Sequence, residues 1–274
     1  MAGTSLLLFV YFLLFIVSAE VTFSVNAEVQ YVEGALSSKE SRQPLYWHFR
    51  DVSLCDATLT KKEASCKRFS GVVSFGAGTR FRIWRPGSGP LSIVFQGENN
   101  SIKVDDDAWP DASPLMIKAD NPGVQAQNGH ALVLPFLLTD FKLGALPRVG
   151  GGGQPRTLRS GVIRMYKRTL WGDQPFEVGE KKLEHGDVFV VNEPLSDYAG
   201  FIDVDELPGM RVVVRVVGEE AALHRFFMDD TPIRAVWFER LSHDPVIAAT
   251  VGLLTFVLII LSTIIAGRCG QTQK

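Results

Sequence analysis

The sequence TRFRIWR, residues 79–85, carries the clearest strand pattern in the chain. Arg80, Arg82 and Arg85 alternate with Phe81 and Ile83, so one side of an extended segment would be basic and the other apolar. We therefore predict a half-buried strand over 80–84, with the three arginines forming a basic outer face. The spacer GAG at 76–78 predicts a hairpin turn before this strand.

Similar short segments occur on both sides of this strand, and they are rich in β-branched and aromatic residues. They are bounded by Gly, Pro, Asn or Asp, as strands commonly are. These segments are GVVSF (71–75), LSIVF (91–95), ALVLPFLL (131–138), DVFVV (187–191) and RVVVRVV (211–217). Because convincing amphipathic helices are few, we predict a mainly β fold, an antiparallel β sandwich or barrel-like domain.

A glycine-rich run, VGGGGQPRTLRSG at 149–161, interrupts the strand-like segments. Consecutive glycines lose too much backbone entropy to form regular structure, so we predict a flexible linker or loop. As a linker it would divide two β-rich subdomains at 28–148 and 162–244. The alternative is a long loop inside one domain, and the sequence leaves both open.

The C-terminal part of the chain predicts a membrane anchor. Residues 245–267 contain no charged side chain and, as a helix, would measure about 34 Å, enough to cross a bilayer. A short helix over 232–242 would precede this span. Basic residues in the tail 268–274 place that tail in the cytoplasm by the positive-inside rule. Residues expected at the membrane interface are Trp237, Phe238 and Arg268.

Residues 1–27 read as a signal peptide or a signal-anchor. The apolar run at 6–17 has the length of a signal-peptide core, and small residues allow cleavage after Ala19 or Ala27. The alternative is a retained signal-anchor that ends at about Ala27. In both cases we expect the domain between the two apolar segments to be extracytoplasmic. With cleavage, the protein would be a type I single-pass membrane protein of the secretory pathway or cell surface.

Two modifications are expected in that compartment. Cys55 and Cys66 enclose a ten-residue loop, and extracytoplasmic compartments favour disulfides, so we predict that they are bonded. A metal or redox pair is the alternative. Asn99 begins the sequence Asn-Asn-Ser, which matches the acceptor pattern for N-glycosylation.

Candidate groups for catalysis or metal binding are sparse. The sequence EHGD at 184–187 reads as a polar turn that enters a buried strand, although it could also orient the imidazole of His185. The run Asp105–Asp107 reads as a solvated acidic turn, with a calcium-like cation site as the alternative. We find no nucleophile elbow, no zinc motif and no platform for nucleic acid, and we predict no cofactor.

Three functional hypotheses follow from these features. The first is a non-enzymatic binding module or accessory subunit of a membrane complex, with the lipid bilayer and a protein as its partners. The second is a membrane-tethered hydrolase or glycan-processing enzyme that uses the acidic residues of 105–107 or 184–187. The third is a polyanion- or lipid-headgroup-binding module that uses the basic outer face, because blocks of opposite charge alternate along a chain of net charge −2.

Overall fold

The structure is a computed structural model that describes most of the central part of the chain. It describes residues 20–37, 45–57, 66–97, 101–110, 113–120, 132–144, 157–168, 174–204, 208–225 and 230–234, and helical residues at 249, 252–253, 255–257, 259–260 and 263. The chain divides into two compact units. The larger consists of Glu20–Arg164 and Lys181–Arg234, and the smaller of Met1–Ala19, Met165–Glu180 and Ala235–Lys274.

The described residues form sixteen strands. They are β1 (Val21–Val29), β2 (Tyr31–Leu36), β3 (Leu45–Asp56), β4 (Lys67–Phe75), β5 (Arg80–Trp84), β6 (Leu91–Gln96), β7 (Ile102–Val104), β8 (Asp107–Ala108), β9 (Leu115–Ala119), β10 (Leu132–Leu143), β11 (Leu158–Arg168), β12 (Pro175–Leu183), β13 (Val188–Pro194), β14 (Tyr198–Val204), β15 (Met210–His224) and β16 (Thr231–Ile233). Each of the six strand-like segments of the sequence corresponds to one of these strands. Two of them, ALVLPFLL and DVFVV, begin one residue before the strand does. The strand predictions are therefore confirmed.

The strands of the larger unit pair in the order β1-β15-β13-β10-β2-β5-β6-β9-β3-β4-β7-β8. β14 also pairs with both β10 and β15, and β16 pairs with β15. The fold is mainly β, an antiparallel sheet with a small barrel, as the sequence indicated. Many neighbours in this order are far apart in the chain, so the pairing could not be deduced from the segments alone.

β1 occupies residues that the sequence analysis assigned to a signal peptide or signal-anchor. Val21 to Val29 pair without interruption with Gly218 to Met210 of β15. Every second side chain of β1 is buried, from Val21 to Val29, and the residues between them are polar. The boundary at residue 27 is therefore wrong, because residues 21–27 form a strand of the domain.

An aromatic cluster fills the core beneath β3, β4, β5 and β6. The Trp47 ring packs edge-on against Phe75 and Phe95, with ring centroids 5.1 Å and 5.5 Å away. Phe75 and Phe95 stack on each other at 4.1 Å. The indole Nε1 of Trp47 donates a hydrogen bond of 2.9 Å to the backbone oxygen of Pro135, which satisfies the one polar group of a buried side chain.

The Cys55–Cys66 disulfide predicted from the sequence is present. Leu54 of β3 lies opposite Lys67 of β4, so the two cysteines lie opposite each other in the same antiparallel pair. Their Cα atoms are 4.3 Å apart, the spacing of residues that face each other without a backbone hydrogen bond. The bond joins β3 to β4 beside the loop, and it is consistent with an oxidising compartment outside the cytoplasm.

Two connections differ from their predictions. The GAG spacer at 76–78 does not form a hairpin, because β4 pairs with β3 and β7 whereas β5 pairs with β2 and β6. The glycine-rich run lies outside the described residues up to 156, but its last four residues, 158–161, belong to β11. This run is not a boundary between two domains, because Glu20–Arg164 and Lys181–Arg234 form one unit.

The helix predicted over 232–242 is wrong at its start, because Thr231–Ile233 form β16 and pair with β15. Trp237, Phe238 and Arg268 lie outside the described residues. Within 245–267, the described residues are helical, and large apolar side chains such as Leu253 and Phe256 are exposed there. Among the described residues, no helix has the length and apolarity needed to span a membrane.

We expect the Tyr198→Phe substitution to reduce the decrease in the free energy of unfolding that occurs at alkaline pH. Burial, and then the charge of Asp140, raise the pKa of Tyr198 from 10.0 to about 12. The raised pKa contributes to the free energy of unfolding. This contribution is fully present below about pH 10 and falls by about 2–3 kcal/mol as the pH rises from about 10 to about 12. Urea denaturation at pH 9 and pH 11 would measure the difference. The same pH dependence in both proteins would contradict the assignment.

Candidate binding surfaces

β10, β14 and β15 carry an exposed apolar surface on the side opposite the core. Directly opposed residues of an antiparallel pair project to the same side. Pro135 of β10 lies opposite Phe201 of β14, and Phe201 lies opposite Val213 of β15. The neighbouring residues Leu134 and Ile202 are buried. Pro135, Phe201 and Val213 therefore lie on the outer side.

We call this surface the apolar face. It consists of Val133, Pro135, Ala199, Phe201 and Val213. The side chains of Val133 and Phe201 are 52% and 38% exposed, Pro135 and Ala199 are also exposed, and Val213 is half-buried. Isolated apolar residues are common on protein surfaces, but these residues are neighbours on three paired strands.

Two arginines border the apolar face on β15. Arg211 and Arg215 are exposed and lie two residues on either side of Val213, so they project to the same side. Arg211 Nε donates a 3.1 Å hydrogen bond to Asn26 Oδ1 on β1. An apolar centre with arginine at its border has the composition of a protein interface.

The sequence alone does not reveal the apolar face. The segment ALVLPFLL has no polar side chain, so its pattern does not distinguish the inner side of the strand from the outer side. The one local signal for the apolar face is Pro135. Proline cannot donate a backbone hydrogen bond to a neighbouring strand, so it is confined to particular strand positions. The outer position of Phe201 depends on its pairing with β10 and β15, which a single sequence does not specify.

The three arginines of the predicted basic face do not stay together. Arg80 and Arg82 are exposed on β5, as predicted, and Arg82 Nε lies 3.4 Å from Glu33 Oε1 on β2. The prediction for Arg85 is wrong, because this residue is only 3% exposed. Its Nη1 and Nε atoms donate to the backbone oxygens of Gly209 and Gly89, at 3.0 Å and 3.2 Å. Arg85 therefore joins two loops and is not part of an exposed basic face.

Asp105 and Asp106 form the turn between β7 and β8, and both have positive φ, of 47° and 72°. Val104 and Asp107 pair across this two-residue loop, so the hairpin has the primed geometry that suits twisted strands. The three aspartates are exposed, which agrees with the predicted acidic turn. The turn lies over β4, beside a cleft of about 330 Å³.

The polar turn at 184–187 is organised by Asp187 and not by His185. Asp187 is buried, and its Oδ2 accepts a 2.9 Å hydrogen bond from the backbone nitrogen of Glu184. Its carboxylate also accepts two hydrogen bonds from Arg225, of 2.9 Å and 3.2 Å. These hydrogen bonds and the charge of Asp187 raise the pKa of Arg225 above its usual value. His185 is exposed in the turn.

The remaining site predictions have no counterpart in the described part of the chain. Asn99 lies outside the described residues. Among the residues that are described, no three His, Cys, Asp or Glu side chains are grouped closely enough to hold a metal ion. Comparisons of the chain with protein-family models, with curated proteins and with solved structures found no match.

We expect Asp187→Asn to lower the free energy of unfolding by about 2–4 kcal/mol. The substitution leaves Arg225 without its buried counter-charge, and loss of one partner of such a pair is strongly destabilising. His185→Ala in the same turn is the matched control and should change stability by less than about 0.5 kcal/mol. Urea denaturation measures both variants. Equal stability of the two variants would contradict the structural role of Asp187.

Proposed function

We propose that this protein is a membrane-anchored, extracytoplasmic binding module that acts as an accessory subunit of a membrane complex. The apolar face is the surface that binds the partner protein. The observation that carries this proposal is the contiguity of Val133, Pro135 and Phe201 on paired strands of the outer side. A soluble surface rarely keeps such a group of apolar side chains exposed without a binding role.

The compartment and the anchor are supported by separate features. The Cys55–Cys66 bond favours a domain that folds outside the cytoplasm. The uncharged run at 245–267 supports a single span, and the described residues within it are helical with exposed apolar side chains. Under this topology Asn99 would be accessible for glycosylation, and the segment before Glu20 would be a leader or a second anchor.

A protein partner explains the composition of the apolar face better than a lipid surface does. Phe201 supplies a rigid aromatic anchor at the centre, and Arg211 and Arg215 supply hydrogen-bond donors at the border. Aromatic and arginine residues are the types that dominate binding energy in protein interfaces. Asp203 lies opposite Arg211 on the same side, so a partner with an apolar contact surface bordered by hydrogen-bonding groups of both charges would complement this arrangement.

The proposal predicts site-specific crosslinking through the apolar face. A photo-crosslinking amino acid at Phe201 of the full chain, in membranes of the native host, should yield one predominant adduct that mass spectrometry identifies as a membrane protein. The same amino acid at Lys118, which is exposed on β9, is the control and should not yield this adduct. Val133→Glu should reduce the adduct at least about tenfold, because it places an unpaired charge in the interface.

Two outcomes would overturn the proposal. One is the same set of adducts from positions 201 and 118, which would indicate random collisions. The other is a crosslinking yield at position 201 that does not change with Val133→Glu.

A further inference from the structure

We propose that the outer side of β3 and β4 carries a binding site for a neutral saccharide, distinct from the apolar face. The site, which we call the β3–β4 cleft, has a volume of about 330 Å³. This is within the lower range of pockets that hold small ligands. It is lined by Tyr46, His48, Val72, Ser74, Asp105 and Asp106.

Strand register brings these residues together. Tyr46 lies opposite Ser74, and His48 lies opposite Val72, so the four side chains project to the same side of β3 and β4. Trp47 and Val73, between them, are buried in the core. The floor of the cleft is thus built on two strands whose other side is fixed by core packing.

The β7–β8 turn forms the wall of the cleft. The backbone nitrogen of Asp105 donates to the oxygen of Val72, and the Oδ1 atom of Asp105 accepts from the nitrogen of Val72, both at 2.9 Å. Gly71 permits this close approach, because a Cβ atom there would collide with the Asp105 carboxylate. The turn is held against β4 while Asp106 remains exposed beside the cleft.

Ser74 indicates that the cleft accommodates a polar ligand. The residue is only 6% exposed, and it lines the cleft. Its hydroxyl group opens into the cleft, where it can donate a hydrogen bond to a ligand hydroxyl group or accept one from it.

The lining combines the groups that bind sugars. The ring of Tyr46 is 50% exposed and provides an apolar surface for the C–H side of a pyranose. The carboxylates of Asp105 and Asp106 accept hydrogen bonds from hydroxyl groups, and Ser74 and His48 can donate or accept them.

Lys103 lies opposite Ser74 on β7, so it adds a positive charge at the border of the cleft. Because the lining mixes hydrogen-bond donors and acceptors, and Lys103 projects to the same side as Ser74, an uncharged polyol fits better than a cationic ligand.

The test is binding of the full-length chain in detergent to an array of neutral and charged oligosaccharides, followed by calorimetry with the bound oligosaccharide. Spermidine and calcium chloride are titrated in parallel. We expect binding to at least one neutral glycan. Tyr46→Ala should weaken it about three- to tenfold, and Asp106→Asn about tenfold. Tyr46→Phe keeps the ring and should retain affinity within about twofold.

Arg50→Ala is the matched control, because Arg50 is exposed on β3 but does not line the cleft. It should bind as the unaltered chain does. The inference is overturned if no neutral glycan binds, if spermidine or calcium binds in place of glycans, or if Tyr46→Ala and Asp106→Asn bind with unchanged affinity. None of these results bears on the partner proposal, because neither Phe201 nor Val133 belongs to the cleft.

Discussion

The pairing of β1 with β15 is the constraint on which the rest of the domain depends. Nine consecutive residues of each strand are in register, and the alternate side chains of β1 from Val21 to Val29 are fully buried. β15 then pairs along its other side with β13 and β14, and β14 pairs with β10. Through this order, the first strand of the domain holds in place the strands that carry the apolar face.

Local alternation predicted the strands well and predicted their partners poorly. The segment 80–84 matches β5 at both ends, and in it Phe81 and Ile83 alternate with Arg80, Arg82 and Trp84. β1 shows equally regular alternation in VTFSVNAEV, but it follows a long apolar run, so the sequence predicts a leader there. The hairpin at 76–78 failed because strand pairing depends on contacts distant in sequence, which a turn motif does not report.

The surfaces were harder to predict than the strands for a related physical reason. Alternation places Arg80 and Arg82 outside, whereas Arg85 follows the end of β5 and lies on the same side of the alternation as the buried Phe81 and Ile83. Arg85 is buried by carbonyl oxygens of two loops, one of them more than a hundred positions later in the chain. The apolar face and the β3–β4 cleft arise in the same way, because Phe201 and Ser74 acquire their surroundings only through register with other strands.

The N-terminal sequence of the mature protein, determined by mass spectrometry after purification from membranes, tests the role of β1 most directly. Because Val21–Val29 form a buried strand, the mature chain should begin at Glu20 or earlier and therefore retain all of β1. A mature, folded protein that begins at Glu28 would lack nearly all of the ladder with β15. That result would contradict the fold and both surfaces inferred from it.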